Sequence, residues 1–497
     1  MDVMKFSIFI QNLKNKLFGK DQRQKEAPIS EPTEKVKEIL PRPSGSSSFI
    51  APVRQPYFIQ IGFDFGTSYS KCICRDVVTD KAWVHIPHKC VGQEFPFLNP
   101  STLLLRDGTL SAVENLGCHY PENGLYHLKH ALVKVSLRQF DDPVLNPYKT
   151  AAESQEVEAL SGLIENCAIY YLAGALGEVR AQIRHRLPGF GALPNDYAAV
   201  NLAIPVADAE RPVVNTVYQR ILGEAWGLAD NLCNHPKMHL NELQRLRKEK
   251  QSDQIHSLNE SCFIYPEVSA NVQGFVRSRV SSPGIYLFSD AGASTVDQSV
   301  FIFIRQDEGE YLTYLHGSVL PLGSGQIEHI AAMASGNVEW QSLEKWREIK
   351  EQGRAVPELR KAKEWIAGRL SQGTEATLAF AKKKLYLTDQ LRDIRVIFGG
   401  GGHYEYPYKA AVMIPFSGQL FHHPIVPDVV GLPIPRDLQL GDSETRWMPR
   451  LSVAYGLSFE KGQLTGFTYP KDVSTPDAEE LWPRFKNIPE APSKDQC

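Results

Sequence analysis

Phe58-Ile59-Gln60-Ile61-Gly62-Phe63-Asp64-Phe65-Gly66-Thr67-Ser68-Tyr69-Ser70 carries an apolar stretch into an acidic residue and a turn of small residues. Far downstream the pattern returns: Ile285-Tyr286-Leu287-Phe288 leads into Asp290-Ala291-Gly292-Ala293-Ser294-Thr295-Val296-Asp297. Both copies place Asp, Gly and Ser at i, i+2 and i+4. A repeated strand, acid and small-residue turn predicts two lobes that grip one phosphate chain from opposite sides. Small residues let backbone N–H groups converge on phosphate oxygens with no side chain in the way. Thr and Ser hydroxyls add donors. A carboxylate beside phosphate is repelled unless a cation lies between them. Mg²⁺ suits that position because it keeps several waters and is held through carboxylates and substrate phosphates. Two ordinary hairpins with small-residue turns are the competing reading.

A third motif is Val396-Ile397-Phe398 followed by Gly399-Gly400-Gly401-Gly402-His403. Four glycines after a strand cost unfolded-chain entropy. A flat ligand pressed on bare backbone accounts for that cost, and an adenine–ribose unit fits. A flexible loop is the alternative.

In this order the motifs resemble the actin, sugar-kinase and heat-shock-chaperone ATPase superfamily, and most of all the nucleotide-binding domain of the seventy-kilodalton heat-shock chaperones. The likeness spans roughly residues 56–460. Asp64-Phe65-Gly66-Thr67-Ser68 is similar to the first phosphate motif, and Asp290-x-Gly292-x-x-Thr295-x-Asp297-x-Ser299 to the second. Gly401-Gly402-x-x-x-x-Pro407 resembles the adenosine motif. Asn201-Leu202-Ala203-Ile204-Pro205, then Arg211 and Ala225-Trp226-Gly227-Leu228, is similar to the stretch before the first connecting helix. Tyr265-Pro266-Glu267-Val268-Ser269-Ala270 resembles the start of that helix, where the family carries a Glu near the attacking water. Leu359-Arg360-x-Ala362-x-Glu364, ending in Leu370-Ser371, is similar to the helix whose Glu contacts the ribose. Arg450-Leu451-Ser452-Val453-Ala454-Tyr455-Gly456-Leu457 resembles the second connecting helix.

The resemblance implies an α/β, two-lobed actin-like ATPase fold of duplicated ribonuclease-H-like lobes, with the nucleotide in the central cleft. ATP and Mg²⁺ are the implied cofactors. Asp64 and Asp290 would hold the metal through water. Backbone at Gly66, Thr67, Ser68, Gly292, Ala293, Ser294 and Thr295 would bind β- and γ-phosphate, and Glu364, Gly400, Gly401, Gly402 and His403 the nucleoside. Glu267 or Asp297 would position the attacking water. Lys129, in His127-Leu128-Lys129-His130, resembles the lysine that neutralises the γ-phosphate, with Lys134 as the alternative. Departures are equally specific. Ala293 and Ser294 replace glycines, which predicts less room for phosphate. Ala367 stands where the chaperones carry a basic residue beside adenine, and Pro266-Glu267 reverses the usual order.

A chain of 497 residues can bury a large core. It is 42% hydrophobic and 22% charged, ordinary for a soluble globular protein. A net charge of −3 argues against a general nucleic-acid surface. The eight cysteines show no C-x-x-C or other metal-ligand spacing, so reduced thiols in a cytosol are the simplest reading. No run of eighteen apolar residues predicts a spanning helix. Residues 1–20 place Phe6, Phe9, Ile10, Leu13 and Leu17 on one helical face among lysines. That reads as an amphipathic helix, open between weak membrane-surface contact, partner docking and packing on its own domain. Residues 21–55 have linker composition.

The expected division is 56–280 for the first lobe, 281–448 for the second, 449–462 for the returning helix and 463–497 for an irregular tail. An inserted segment at about 231–261 holds a charged run read as a solvated helix. Strands are expected at 57–64, 69–77, 198–204, 284–290, 298–305 and 395–398. Helices are expected at about 155–185, 208–228, 267–278, 325–335, 355–370, 408–414 and 450–459. The remaining tail has no room for a peptide-binding domain of chaperone type. The function expected is therefore an ATP-hydrolysing, chaperone-like switch that works through protein partners: a client, a co-chaperone or a complex subunit. The alternatives are an actin-like filament protein, a scaffold with little hydrolysis, and a small-molecule kinase with Asp208 as its acid.

Overall fold

The apolar run before Asp64 forms the strand Phe58–Asp64, buried along all but its first residue. A strand covered on both faces needs such a continuous run, not an alternating one. It pairs antiparallel with Tyr69–Asp76 and parallel with Tyr197–Ile204. The whole sheet runs in the order Cys262–Pro266, Tyr197–Ile204, Phe58–Asp64, Tyr69–Asp76, Lys81–Val84 and Leu438–Gln439, with Asn99–Pro100 beside Tyr69–Asp76. The helices Val157–Arg186 and Pro212–Leu232 contribute apolar residues to the same core. The first of these helices is long and apolar enough to cross a membrane by composition, but 67% of its most apolar window is buried inside the fold.

The computed structural model describes residues 54–152, 154, 156–204, 211–233, 235–250, 261–278, 281–306, 309–385, 388–418, 420–421 and 423–475. The expected helix at 1–20, most of the linker, Asp208 and the last residues of the tail lie outside them.

A second mixed sheet runs Asp428–Val430, Arg395–Gly399, Gly284–Ala291, Val296–Gln306, Gly309–Leu320 and Gly466–Thr468. The helices Gln326–Ala334, Trp340–Glu351 and Pro357–Lys382 share its core. A smaller antiparallel sheet joins Gly124–Leu125, Leu103–Arg106, Thr109–Ala112 and Lys237–His239. The architecture is mixed α/β throughout.

Apart from shifts of a few residues and a helix expected at 355–370 that runs on to Lys382, the sequence boundaries differ from this in three places. Leu438–Gln439 falls inside the expected second lobe but extends the first sheet, pairing with Lys81–Val84. Gly466–Thr468, expected as irregular tail, pairs with Gly309–Leu320 because Phe467 packs its ring against Tyr265 and Tyr314. The helix expected at 267–278 is two, Glu267–Asn271 and Gln273–Val276, broken at Val272. The charged run does form a helix, Leu240–Glu249. It is solvated on most sides but buries Leu243, and Arg247 reaches Glu224 at 2.6 Å.

Two short helices bring the sheets together. Glu267–Asn271 and Met448–Leu457 cross so closely that a Cβ on Gly456 would stand 1.8 Å from the Ala270 carbonyl oxygen. Only glycine fits there.

Candidate functional site

Both acid-led turns and the glycine run open on one cavity of about 1010 Å³. Its wall includes Asp64, Gly66, Thr67 and Ser68 from the first hairpin, and Asp290, Gly292, Ala293, Thr295 and Asp297 from the second. Lys129, Glu267, Gly400, Gly401 and Gly402 complete the expected set found there. Three expected residues lie off the wall. Glu364 is exposed on the outer face of its helix, 4.0 Å from Arg360, because Leu359, Ala362, Ile366 and Leu370 turn the opposite face into the core. His403 is buried behind the glycine run, its Nδ1 placed to donate to the Gly399 carbonyl. Ser294 is buried, with its hydroxyl 2.7 Å from His127 Nδ1. Of Ala293 and Ser294, the two residues expected to narrow the space for phosphate, only Ala293 borders the cavity. Ala367 also lies off its wall, packed against the core of the second sheet.

Local geometry explains why these residues converge. Each turn closes an antiparallel hairpin, with Asp64 opposite Lys71 and Asp290 opposite Asp297. The second turn is clamped from behind: Gly323, Ser324 and Gly325 donate their amides to the carbonyls of Ser294, Gly292 and Ala293 at 2.9, 2.9 and 2.7 Å. The glycine run needs a left-handed residue at Gly400 (φ +76°), where a Cβ would also stand 2.1 Å from Asp290 Oδ1. This is the close approach that glycine alone allows.

The charges in the cavity are largely paired. Lys71 Nζ lies 2.8 Å from Asp64 Oδ2. Lys129 Nζ lies 2.7 Å from Glu267 Oε2. Burial works against the Lys129 charge, but Glu267 and Asp64 outweigh it and hold the ammonium above its usual pKa. Asp290 accepts a hydrogen bond of 2.6 Å from Asn271 Nδ2. Burial, then Glu267, pushes its carboxyl up to about 7, with Lys71 acting against them. Asp297 accepts from the Thr295 hydroxyl at 2.9 Å, and burial followed by Glu267 raises it well above the carboxylate range. Lys134, the alternative lysine, also borders the cavity but is paired with Asp142 at 2.9 Å.

Several lining residues had not been singled out from the sequence. Lys71 is one. Arg450 lies with its guanidinium 4.0 Å from the centre of the Phe95 ring, beside Gly401. Residues 117–120 reach across to the helix Trp340–Glu351: His119 and Tyr120 donate their amides to Glu344 Oε2 at 3.0 and 2.9 Å, and Arg347 donates to the Gly117 carbonyl at 2.6 Å. Tyr69 and His119 share a hydrogen bond of 2.5 Å.

The residues present fit a nucleotide and a hydrated divalent cation. Asp64 Oδ1 and Asp297 Oδ1 are buried and, among the described residues, meet no hydrogen-bond donor. A buried carboxylate oxygen without a donor is costly, which favours a further ligand. No group of three or more His, Cys, Asp or Glu is arranged to hold a metal among the described residues. A cation held through its waters and a phosphate needs no such group.

Compared with known proteins, the sequence matches no family model and no curated protein.

Proposed function

We propose that the chain is an ATP-binding and ATP-hydrolysing switch of chaperone-like type, built on a two-lobed actin-like ATPase fold and acting through protein partners by nucleotide-dependent closure of the lobes. One observation carries this reading: two hairpin turns distant in sequence and a glycine run border a single cavity, with Asp64, Glu267, Asp290, Asp297, Lys71 and Lys129 among the charged groups on its wall. A fold by itself would not argue function. Small-residue backbone, carboxylate oxygens without donors and a bare glycine surface meet at one place.

On this reading the turns Gly66–Ser68 and Gly292–Thr295 present backbone amides to the phosphates. Gly400–Gly402 lie along the nucleoside. Asp64 and Asp290 hold magnesium through its waters. Bound magnesium supplies charge neutralisation, on which phosphoryl transfer chiefly depends together with positioning. Glu267 orients a water once Lys129 is drawn from it toward the phosphate. ATP hydrolysis measured with and without Mg²⁺, in wild type and Asp64→Ala, tests the reading. Magnesium-dependent turnover lost in the variant is the expected result; equal turnover in both proteins would end the assignment.

A second reading is a nucleotide-binding scaffold that turns over little. The Lys129–Glu267 ion pair favours it, since the two groups expected at the phosphate and at the water hold each other. Single-turnover hydrolysis separates the two: a bound ATP that outlasts hours of incubation selects the scaffold.

A further inference from the structure

The likeness assigns the nucleoside to Gly400–Gly402 and to two positions on the helix Pro357–Lys382, yet both of those, Glu364 and Ala367, lie off the cavity wall. Arg450 stands on the wall beside the glycine run instead, in the first turn of the helix Met448–Leu457. The Gly400 amide donates to the Pro449 carbonyl at 3.1 Å and fixes that turn against the run. A Cβ on Gly401 would stand 3.2 Å from Arg450 Nε. The guanidinium packs on the Phe95 ring, 4.0 Å from its centre. Other cations of the wall are committed: Lys71 to Asp64, Lys129 to Glu267, Lys350 to Glu328. Arg450 has no carboxylate partner among the described residues; the neighbouring acid, Glu94, is held by Arg446 at 3.0 Å. Its Nε is buried and meets no acceptor among the described residues.

We infer that Arg450 reads the edge of the nucleobase and favours a base with two adjacent acceptors, so that the cavity binds GTP at least as tightly as ATP. The inference rests on the nucleotide reading above and deepens it by naming the base. A buried donor without an acceptor is costly, and so is a partly buried cation without a partner. A ligand that supplies acceptors relieves both. Arginine offers donors only, in a planar fork. Guanine sets O6 beside N7, two acceptors that match the fork. Adenine sets its N6 amino group beside N7, so one of the two contacts becomes donor against donor. Phe95 holds the guanidinium plane before the ligand arrives, so little side-chain entropy is lost on binding.

The test is calorimetric titration of the full chain in magnesium with ATP, GTP and 7-deaza-GTP, for wild type and Arg450→Met. Wild type should bind GTP at least as tightly as ATP; a clear preference for ATP overturns the inference. 7-Deaza-GTP lacks the N7 acceptor and should bind wild type distinctly more weakly than GTP; equal affinity overturns it too. Arg450→Met should lose at least about fivefold in affinity for GTP and distinctly less for ATP, the scale of one bidentate base contact. Equal losses for both nucleotides mean that Arg450 supports the wall or the ribose, and they also overturn it. The wild-type comparisons decide the matter if the Met variant does not fold. Binding of ATP with GTP excluded defeats this inference and leaves the nucleotide reading standing, whereas binding of neither defeats both.

Discussion

Asp64 is the last residue of its strand and Asp290 the last but one, and each hairpin sets another residue directly across from its acid, yet the two sites meet their charge differently. In the first hairpin the opposite residue is Lys71, and an ion pair results. In the second it is Asp297, so two carboxyls share one buried hairpin and their support is neutral: Asn271 for Asp290, Thr295 for Asp297. The backbones differ too, since the second turn is clamped by Gly323–Gly325 and buttressed by His127 through Ser294. Sequence repetition here preserves a scaffold while the charges it carries diverge. One turn carries a lysine paired with its acid, and the other carries two acids whose burial raises their pKa values.

The largest effect is expected from Lys129→Met, which strands Glu267 next to Asp290 and Asp297. Removing one partner of a buried pair typically costs about 3–5 kcal/mol, and chemical denaturation should register a loss of that order. Asp290→Asn comes next. It should leave nucleotide binding partly intact and cut hydrolysis by about 10²–10³-fold, the usual cost of one preorganised charge-stabilising group; normal turnover would defeat the metal assignment. Asn271→Leu removes the neutral support of the second turn and should destabilise by about 1–3 kcal/mol, the cost of an unpaired buried acceptor.

Acid should act on the same turn. Burial lowers His127 to about 3, well below the 6.5 of an unfolded chain. Above pH 6.5 the ring is neutral in both states. As pH falls below that, the unfolded chain takes up a proton that the folded chain refuses, so stability is lost, by about 2 kcal/mol between pH 6.5 and 5. The melting temperature should fall over that window, and His127→Gln should make the fall shallower by that one group's share, since burial also holds His119, His130, His329 and His403 low. Smallest is Ser294→Ala, expected to cost about 1 kcal/mol for one buried hydrogen bond and to leave nucleotide affinity unchanged, because Ser294 lies off the cavity wall.

Much of the scaffold was legible in the sequence because its signals are local. Apolar runs ending in Asp64 and Asp290, and the strand before Gly399, mark central strands within a residue or two of their true ends. Glu364 misled because a motif likeness outweighed helical period. The apolar spacing of Leu359, Ala362, Ile366 and Leu370 already turned that residue outward. Lys71 was missed although the hairpin's own spacing, seven residues from each acid, sets it beside Asp64 as it sets Asp297 beside Asp290. The contacts of residues 117–120 with Glu344 and Arg347, and of His127 with Ser294, have no local signature. They join segments far apart in the chain, and only tertiary packing brings them together.

The crossing of Gly456 over Ala270 bears on how the protein tolerates change. With the carbonyl oxygen 1.8 Å from where a Cβ would sit, even alanine must push two helices apart, and each of those helices carries residues of the cavity wall. A saturation library selected for activity should therefore come back nearly invariant at position 456, a residue that touches no ligand, while Gly368 on the open face of the helix Pro357–Lys382 admits most substitutions.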